Sequence, residues 1–149
     1  MISHQLIVPP TCDDADGQSG GPCPWFVPEY DMIYNADEVL SVLRRHPHVR
    51  VALHGHVHAN SLTTRAGIAF VTTASADEYP MQWREVVVRA CEVELHTRAL
   101  APQGLVDQSA ARETRGLNKA KRGSPLANHL VVRTCSRSGG ARHRHRQAR

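Results

Sequence analysis

The run Val49-Arg50-Val51-Ala52-Leu53-His54-Gly55-His56-Val57-His58 decides the fold, because an apolar stretch passes directly into a cluster of histidines. Residues 49–53 are rich in valine and leucine, which favours a short buried strand. The histidines then follow at the C-terminal end of that strand. In open α/β sheets this end borders the crevice in which ligands bind. The run therefore predicts a functional site as well as a core strand.

The three histidines of this run allow two arrangements. If the segment stays extended, the side chains of His54, His56 and His58 point to the same side and can share one metal ion. If Gly55 bends the backbone, His56 and His58 diverge toward two different ions. Imidazole suits borderline metals such as zinc, manganese, iron or nickel. Both arrangements predict metal binding, and the spacing leaves the number of ions open.

A helix is predicted upstream of the run. Asn35-Ala36-Asp37-Glu38 has the pattern of a helix start, with Asn35 as the N-cap and Glu38 completing a capping box. Pro47 ends the helix, so that the next strand follows after a tight turn.

Strands are predicted on both sides of the run. Residues 2–8 predict a buried strand that ends before a pair of prolines. Residues 68–73 predict a strand introduced by a turn. Residues 83–89 and 91–95 alternate with a period of two, which is typical of an antiparallel hairpin at a sheet edge. Together with the helix, these strands predict an α/β (α+β) fold.

The chain has 149 residues and a formal net charge of +4, but this charge is unevenly distributed. Residues 1–100 carry 7 Lys and Arg against 12 Asp and Glu, whereas residues 101–149 carry 11 against 2. The second segment has too few apolar residues to offset its chain entropy by burial. We therefore expect a partial domain over 1–100 and a disordered basic tail over 101–149, apart from a short apolar piece at 130–132.

The four cysteines are widely spaced and form no CxxC pair, which excludes a zinc ribbon and a thioredoxin-type motif. Their even number does not establish a disulfide, and Cys91 is expected in the core. Neither a basic leader nor a run of about 18 apolar residues is present. The expectation is a cytoplasmic protein without a membrane partner.

The polar loop over residues 11–28 contains Asp13-Asp14-Ala15-Asp16-Gly17, which invites comparison with a calcium-binding loop. An EF-hand requires acidic ligands where Cys12 and Cys23 stand. A calcium site is therefore not expected.

Gly55-His56-Val57-His58 after a strand resembles the last signature, GHxH, of the calcineurin-like metallophosphoesterase family. Ser3-His4 resembles the preceding signature, in which a serine and a histidine follow a strand. The downstream run EYPMQWREV, residues 78–86, also resembles bacterial members of the family. The resemblance covers most of the first 95 residues. It implies the C-terminal part of a two-sheet β-sandwich flanked by helices.

By this resemblance His4 and His56 would bind one ion of a metal pair and His58 the other, while His54 has no family role. The family uses two ions to bind a phosphate ester and to generate the nucleophile. This chain lacks the family's D-x-H, G-D and G-N-H motifs, and with them the bridging carboxylate and the general acid. Two cations without that carboxylate would repel each other strongly. At most one divalent ion, manganese, iron or zinc, is therefore expected at His4, His56 and His58.

The expected function is a partial metal-dependent phosphoesterase, a hydrolase of phosphate mono- or diesters that has no catalytic residue of its own and is inactive alone. A complementing N-terminal half, or self-association, is expected to cover the exposed sheet face and to complete the substrate site. The alternative is a non-catalytic, mononuclear metal-binding or regulatory remnant. In that case the basic tail binds an acidic partner or nucleic acid.

Overall fold

A computed structural model of the chain describes residues 1–12, 23, 25–113 and 116–135, which form two three-stranded sheets and five short helices. In chain order the elements are α1 (Pro28–Asp31), α2 (Ala36–Arg44), β1 (Val51–His54), β2 (Ser61–Arg65), β3 (Ile68–Thr72), β4 (Gln82–Val88), β5 (Glu92–Ala99), α3 (Gln103–Arg112), α4 (Asn118–Arg122), α5 (Pro125–Asn128) and β6 (His129–Arg133). The expected α+β fold class is confirmed.

The first sheet has the strand order β1-β3-β2. β1 pairs with β3 in parallel, and β2 pairs with β3 as a hairpin. The two turn residues, Ala66 and Gly67, have φ angles of 53° and 74°, as a type I′ turn requires. Every residue of β3 is buried, which is typical of a central strand with a parallel neighbour.

Residues 1–4 lie alongside β1, on the side opposite β3. The amide of Ser3 donates to the carbonyl of Leu53 at 3.0 Å, and the amide of Leu53 donates to the carbonyl of Met1 at 3.0 Å. The amide of Gly55 then donates to the carbonyl of His4 at 3.1 Å. The continuous strand predicted over residues 2–8 is therefore wrong, since this segment forms two isolated bridges, Ile2 with Leu53 and Leu6 with Met32.

The second sheet has the order β4-β5-β6, and both of its strand pairs are antiparallel. The predicted hairpin is confirmed as β4 and β5. Ala69 and Val71 of β3 pack against Leu95 of β5, so the two sheets face each other. On the other face of the first sheet, Leu40 of α2 packs in a cluster with Phe70. The layers are thus helix, sheet and sheet.

α2 begins and ends close to its predicted limits, but its predicted capping box is wrong. Asn35 makes no side-chain capping hydrogen bond. Ala36, Leu40 and Leu43 are the buried residues of the helix. The burial of this apolar face, and not a cap, fixes the helix against the sheet.

The prediction that residues 101–149 are disordered is wrong for 101–113 and 116–135, which contain three helices and β6. The composition argument failed because long-range hydrogen bonds hold this segment. The amide of Asn60 donates to the carbonyl of Lys121 at 2.9 Å, and Nη1 of Arg84 donates to the carbonyl of Ala127 at 2.6 Å. The predicted basic end of the tail, residues 136–149, lies outside the described residues, as do Asp13, Asp14 and Asp16.

All four cysteines form disulfides, Cys12 with Cys23 and Cys91 with Cys135. Cys91 is exposed and lies immediately before β5, so the expectation that it belongs to the core is wrong. Disulfides persist mainly in oxidising compartments and are rare in the cytosol. The expected cytoplasmic location does not account for them.

No helix among the described residues is long and apolar enough to cross a lipid bilayer.

The attachment of the C-terminal segment can be tested at Gly123. A Cβ atom there would lie 2.5 Å from the carbonyl oxygen of Asn60, and the φ angle is +72°. Gly116 has the same φ angle, but nothing lies within 4 Å of its Cβ position. We expect Gly116→Ala to lower the free energy of unfolding by about 1–2 kcal/mol, from backbone strain alone. Gly123→Ala should cost at least about 1 kcal/mol more, because of overpacking.

Urea denaturation measures both values. Equal destabilisation by the two substitutions would contradict the contact between Gly123 and Asn60, and with it the ordered C-terminal segment.

The disulfides predict that the denatured chain, purified without reductant, contains no free thiol. The bridge between Cys91 and Cys135 closes a sequence separation of 44 residues. Its replacement by two serines should therefore lower the free energy of unfolding by up to about 4 kcal/mol, because the unfolded chain gains entropy. Thiol titration and urea denaturation check the two statements, and finding four reactive thiols would contradict the pairing.

Candidate metal centre

The histidine-bearing segment after β1 is a tight turn and not an extended strand. The amide of Val57 donates to the carbonyl of Gly55 at 2.8 Å, which closes a three-residue turn around His56. His56 and His58 have φ angles of 66° and 53°. Non-glycine residues in this region cost of order 1–3 kcal/mol each and concentrate at functional sites. The extended arrangement is therefore wrong: the backbone bends at His56 and His58 themselves, and their nearest side-chain partners differ, His4 for His56 and Glu78 for His58.

His54 has a structural role, in agreement with its absence from the predicted set of metal ligands. It is 5% exposed and stacks on Phe70. Its Nδ1 lies 2.9 Å from Oγ of Ser3 and 3.1 Å from the carbonyl oxygen of Gln5. Burial lowers the pKa of His54, which keeps the ring neutral at physiological pH. The ring thus fixes residues 3–5 against the end of β1.

His4 and His56 are brought together from positions 52 residues apart. Nε2 of His4 lies 3.1 Å from Nδ1 of His56, and the two rings meet edge to face. Nε2 of His56 lies 3.1 Å from the carbonyl oxygen of Tyr30, which can only accept a hydrogen bond. We therefore assign the proton to Nε2 of His56, and Nδ1 carries the lone pair that faces His4.

This pair fits two ligand positions of one ion. Zinc–nitrogen bonds of about 2.0–2.1 Å at a tetrahedral angle separate two ligand nitrogens by roughly 3.3 Å. The separation of 3.1 Å between His4 and His56 is close to that value. Among the described residues, however, no group of three or more histidine, cysteine or acidic side chains is close enough to hold an ion. The pair therefore has the spacing required for two positions of a coordination shell, and no more than two.

His58 faces a different partner. Its Nδ1 lies 2.9 Å from Oε1 of Glu78, and the same oxygen accepts a hydrogen bond from Nζ of Lys121 at 2.9 Å. Burial works to raise the pKa of Glu78, but the hydrogen bonds from Lys121 and His58 outweigh it and hold that pKa below its ordinary value. The ionised carboxylate makes Nδ1 of His58 the donor, and in the neutral form of the imidazole Nε2 is then the nitrogen with a lone pair.

His56 and His58 line one cavity of about 200 Å³. Its other lining residues are Trp25, Asp31, Val57, Glu78, Leu117 and Lys121. Oδ1 of Asp31 lies 3.7 Å from Nε2 of His56. The indole Nε1 of Trp25 is buried and has no hydrogen-bond partner among the described residues. The cavity therefore combines two imidazoles, two carboxylates, a cation and an indole donor.

Sequence reasoning did not find Asp31, Glu78 and Lys121. No local spacing marks them, because Glu78 is 20 residues from His58 and Lys121 is 43 residues from Glu78. The run EYPMQWREV signalled that residues around Glu78 matter, but not which of them meets a histidine.

Arg84 and Asn60 form a buried hydrogen-bond network next to the histidine-bearing turn. Nη2 of Arg84 donates to Oδ1 of Asn60 at 3.1 Å and to the carbonyl of Thr72 at 3.0 Å. Burial lowers the pKa of Arg84 to about 10, so the guanidinium remains charged at neutral pH. Asn60 is 2% exposed and lies two residues after His58. The strained turn is thus followed by a buried residue, Asn60, whose side chain is hydrogen-bonded to Arg84.

No protein-family profile matches the chain. No curated protein matches it at a significant level. The chain is similar to the crystal structure of a dimetal phosphatase from Danio rerio, with a TM-score of 0.44 and 22% sequence identity over 65% of this chain. It spans about a quarter of that protein, 27% of its length. Functional conclusions therefore rest on this chain's own residues.

Proposed function

We propose that this chain is the metal-binding, C-terminal part of a metal-dependent phosphoester hydrolase, and that it binds one divalent ion but does not turn over substrate alone. The observation that carries the proposal is the pairing of His4 with His56 at 3.1 Å, with the far nitrogen of His56 held by the carbonyl of Tyr30. A carbonyl acceptor behind a histidine is the usual support of a metal ligand. The GHxH and Ser-His resemblance points to the same two residues.

His4 and His56 would hold the ion, and His58, which lines the same cavity as His56, is proposed as a further donor that has to move closer when the ion binds. Once bound, a divalent ion lowers the pKa of a coordinated water and polarises a phosphoryl oxygen. This chain's residues orient the ligands. The Nε1 donor of Trp25 suits a phosphate oxygen, because an indole N–H can only donate.

A phosphoester hydrolase of this kind requires more than the described residues provide. The two carboxylates of the cavity are already engaged. Asp31 accepts a hydrogen bond from the amide of Val27 at 2.7 Å, and Glu78 is shared by His58 and Lys121. Neither is therefore placed to bridge two ions or to protonate a leaving group. We propose that a complementing segment or chain supplies these groups.

The surface suited to such a partner lies between the two sheets. A cavity of about 680 Å³ is lined by the apolar side chains of Ile2, Leu53, Trp83 and Val86, together with His4. Ile2 is 81% exposed and Trp83 is 45% exposed. β4 is an edge strand of the second sheet. Open edges beside an apolar cleft favour the addition of further strands.

Calorimetric titration of the purified chain with zinc chloride or manganese chloride tests the proposal. We expect one ion per chain. His4→Ala and His56→Ala should each weaken binding by more than about 100-fold, because each removes a ligand. His46→Ala is the matched control, since His46 is exposed at the end of α2 and lies outside the cavity lining. Its affinity should equal that of the wild type.

Hydrolysis of nitrophenyl phosphate mono- and diesters by the loaded chain should not exceed that of His56→Ala. Turnover above this level would contradict the incomplete site. An ion bound by the wild type but insensitive to both ligand substitutions would contradict the assigned residues, and no bound ion at all would overturn the proposed function.

A further inference from the structure

Lys121 is a buried cation next to the turn that carries His56 and His58. The residue is 6% exposed, and its Nζ lies 2.9 Å from Oε1 of Glu78 and 3.3 Å from Oε2 of Glu113. A buried ammonium is costly unless it is paired and hydrogen-bonded. Lys121 is therefore not a solvated residue of a basic tail, and its position is fixed by two carboxylates.

One oxygen of Glu78 connects Lys121 to a predicted metal ligand. Oε1 of Glu78 accepts from Lys121 and lies 2.9 Å from Nδ1 of His58. The side chain of Glu78 is 41% exposed and that of His58 is 47% exposed. Surface side chains of this length lose their geometry easily unless something holds them. Here the buried ammonium holds the carboxylate that orients the imidazole.

The backbone of Lys121 is attached to the same turn. Its carbonyl accepts the amide of Asn60 at 2.9 Å, and Gly123 approaches Asn60 so closely that a side chain would not fit between them. Asn60 lies two residues after His58. The C-terminal segment therefore touches the turn twice, through its backbone at Asn60 and through the ammonium at Glu78.

We propose that Lys121 is a positioning residue: through Glu78 it fixes the ring orientation and tautomer of His58, which lines the same cavity as His56. The consequence for metal affinity rests on the proposed function, whereas the effect on the His58 tautomer does not. The C-terminal segment thereby becomes part of the metal centre, although it contributes no ligand.

The test uses Lys121→Met and Lys121→Arg in the full chain. Methionine removes the charge and the donors while keeping an unbranched side chain, and arginine restores both. Arg122→Met is the matched control, because Arg122 is the exposed neighbour of Lys121 in α4. Histidine ¹⁵N spectra of the metal-free chain report the tautomer of His58, zinc titration reports affinity, and urea denaturation reports folding.

In the wild type we expect a single tautomer of His58, protonated at Nδ1. Lys121→Met should convert it to a mixture and weaken zinc binding by about 10-fold or more, as loss of an outer partner of a ligand does. Lys121→Arg and Arg122→Met should leave both readouts close to the wild type. If Lys121→Met does not fold, Glu78→Gln replaces it, since that variant weakens the acceptor while Lys121 keeps Glu113.

An unchanged His58 tautomer and unchanged zinc affinity in folded Lys121→Met would overturn the inference and leave the proposed function intact. Failure of the wild type to bind zinc would instead overturn the proposed function. In that case the tautomer alone decides the inference, which stands if the single tautomer is lost in Lys121→Met and restored in Lys121→Arg.

Discussion

The backbone pairing of residues 1–4 with β1 is the interaction on which the site depends. Hydrogen bonds between Ser3 and Leu53 and between Gly55 and His4 set the register of the two segments. A shift of one residue would turn the side chain of His4 to the other face. His54 strengthens the register from inside, through its contacts with Ser3 and Gln5. The two imidazoles that are proposed to bind metal thus meet because backbone hydrogen bonds hold residues 1–4 alongside β1.

A second constraint acts on the other end of the turn. Two left-handed histidines within three residues represent strain, which the surrounding structure has to offset. The offset comes from Asn60, whose backbone and side-chain groups meet Lys121, Arg122, Ala74 and Arg84. The turn is held between β1 and the C-terminal segment. The conformation of the turn that carries the proposed ligands is therefore fixed without an ion, which would reduce the ordering cost of binding.

Elements with strong local patterns were predictable from the sequence. The apolar runs of β1 and β3, the alternation of β4 and β5, and the amphipathic α2 all form near their predicted positions. β2 was missed because Ser61–Arg65 is mostly polar and gains its place only by pairing with β3. β6 was anticipated only as an apolar piece, since its pairing with β5 spans a long sequence separation. Patterns report local burial, whereas these strands depend on distant partners.

The residues of the candidate site can likewise be separated into those that the sequence predicts and those that it does not. His56 and His58 were predictable from residue type and spacing, and His4 from the family resemblance of Ser3-His4. The left-handed conformation of His56 and His58 was not predictable, because such φ angles are uncommon in residues other than glycine. No sequence pattern identifies Glu78, Lys121 or the carbonyl of Tyr30, because each of them acquires its role only through contacts with residues that are distant in the sequence. The basic composition of the C-terminal segment predicted a solvated tail and so gave no indication of the role of Lys121. A net charge does not show which cations are paired with carboxylates.

The most direct measurement is the position of a bound ion. Crystals of the chain grown with zinc, with diffraction data collected on both sides of the zinc absorption edge, locate the metal without any assumption about its ligands. The account predicts one anomalous peak within bonding distance, about 2.0–2.1 Å, of Nε2 of His4 and Nδ1 of His56. A peak at other residues only, or none at saturating zinc, would contradict it.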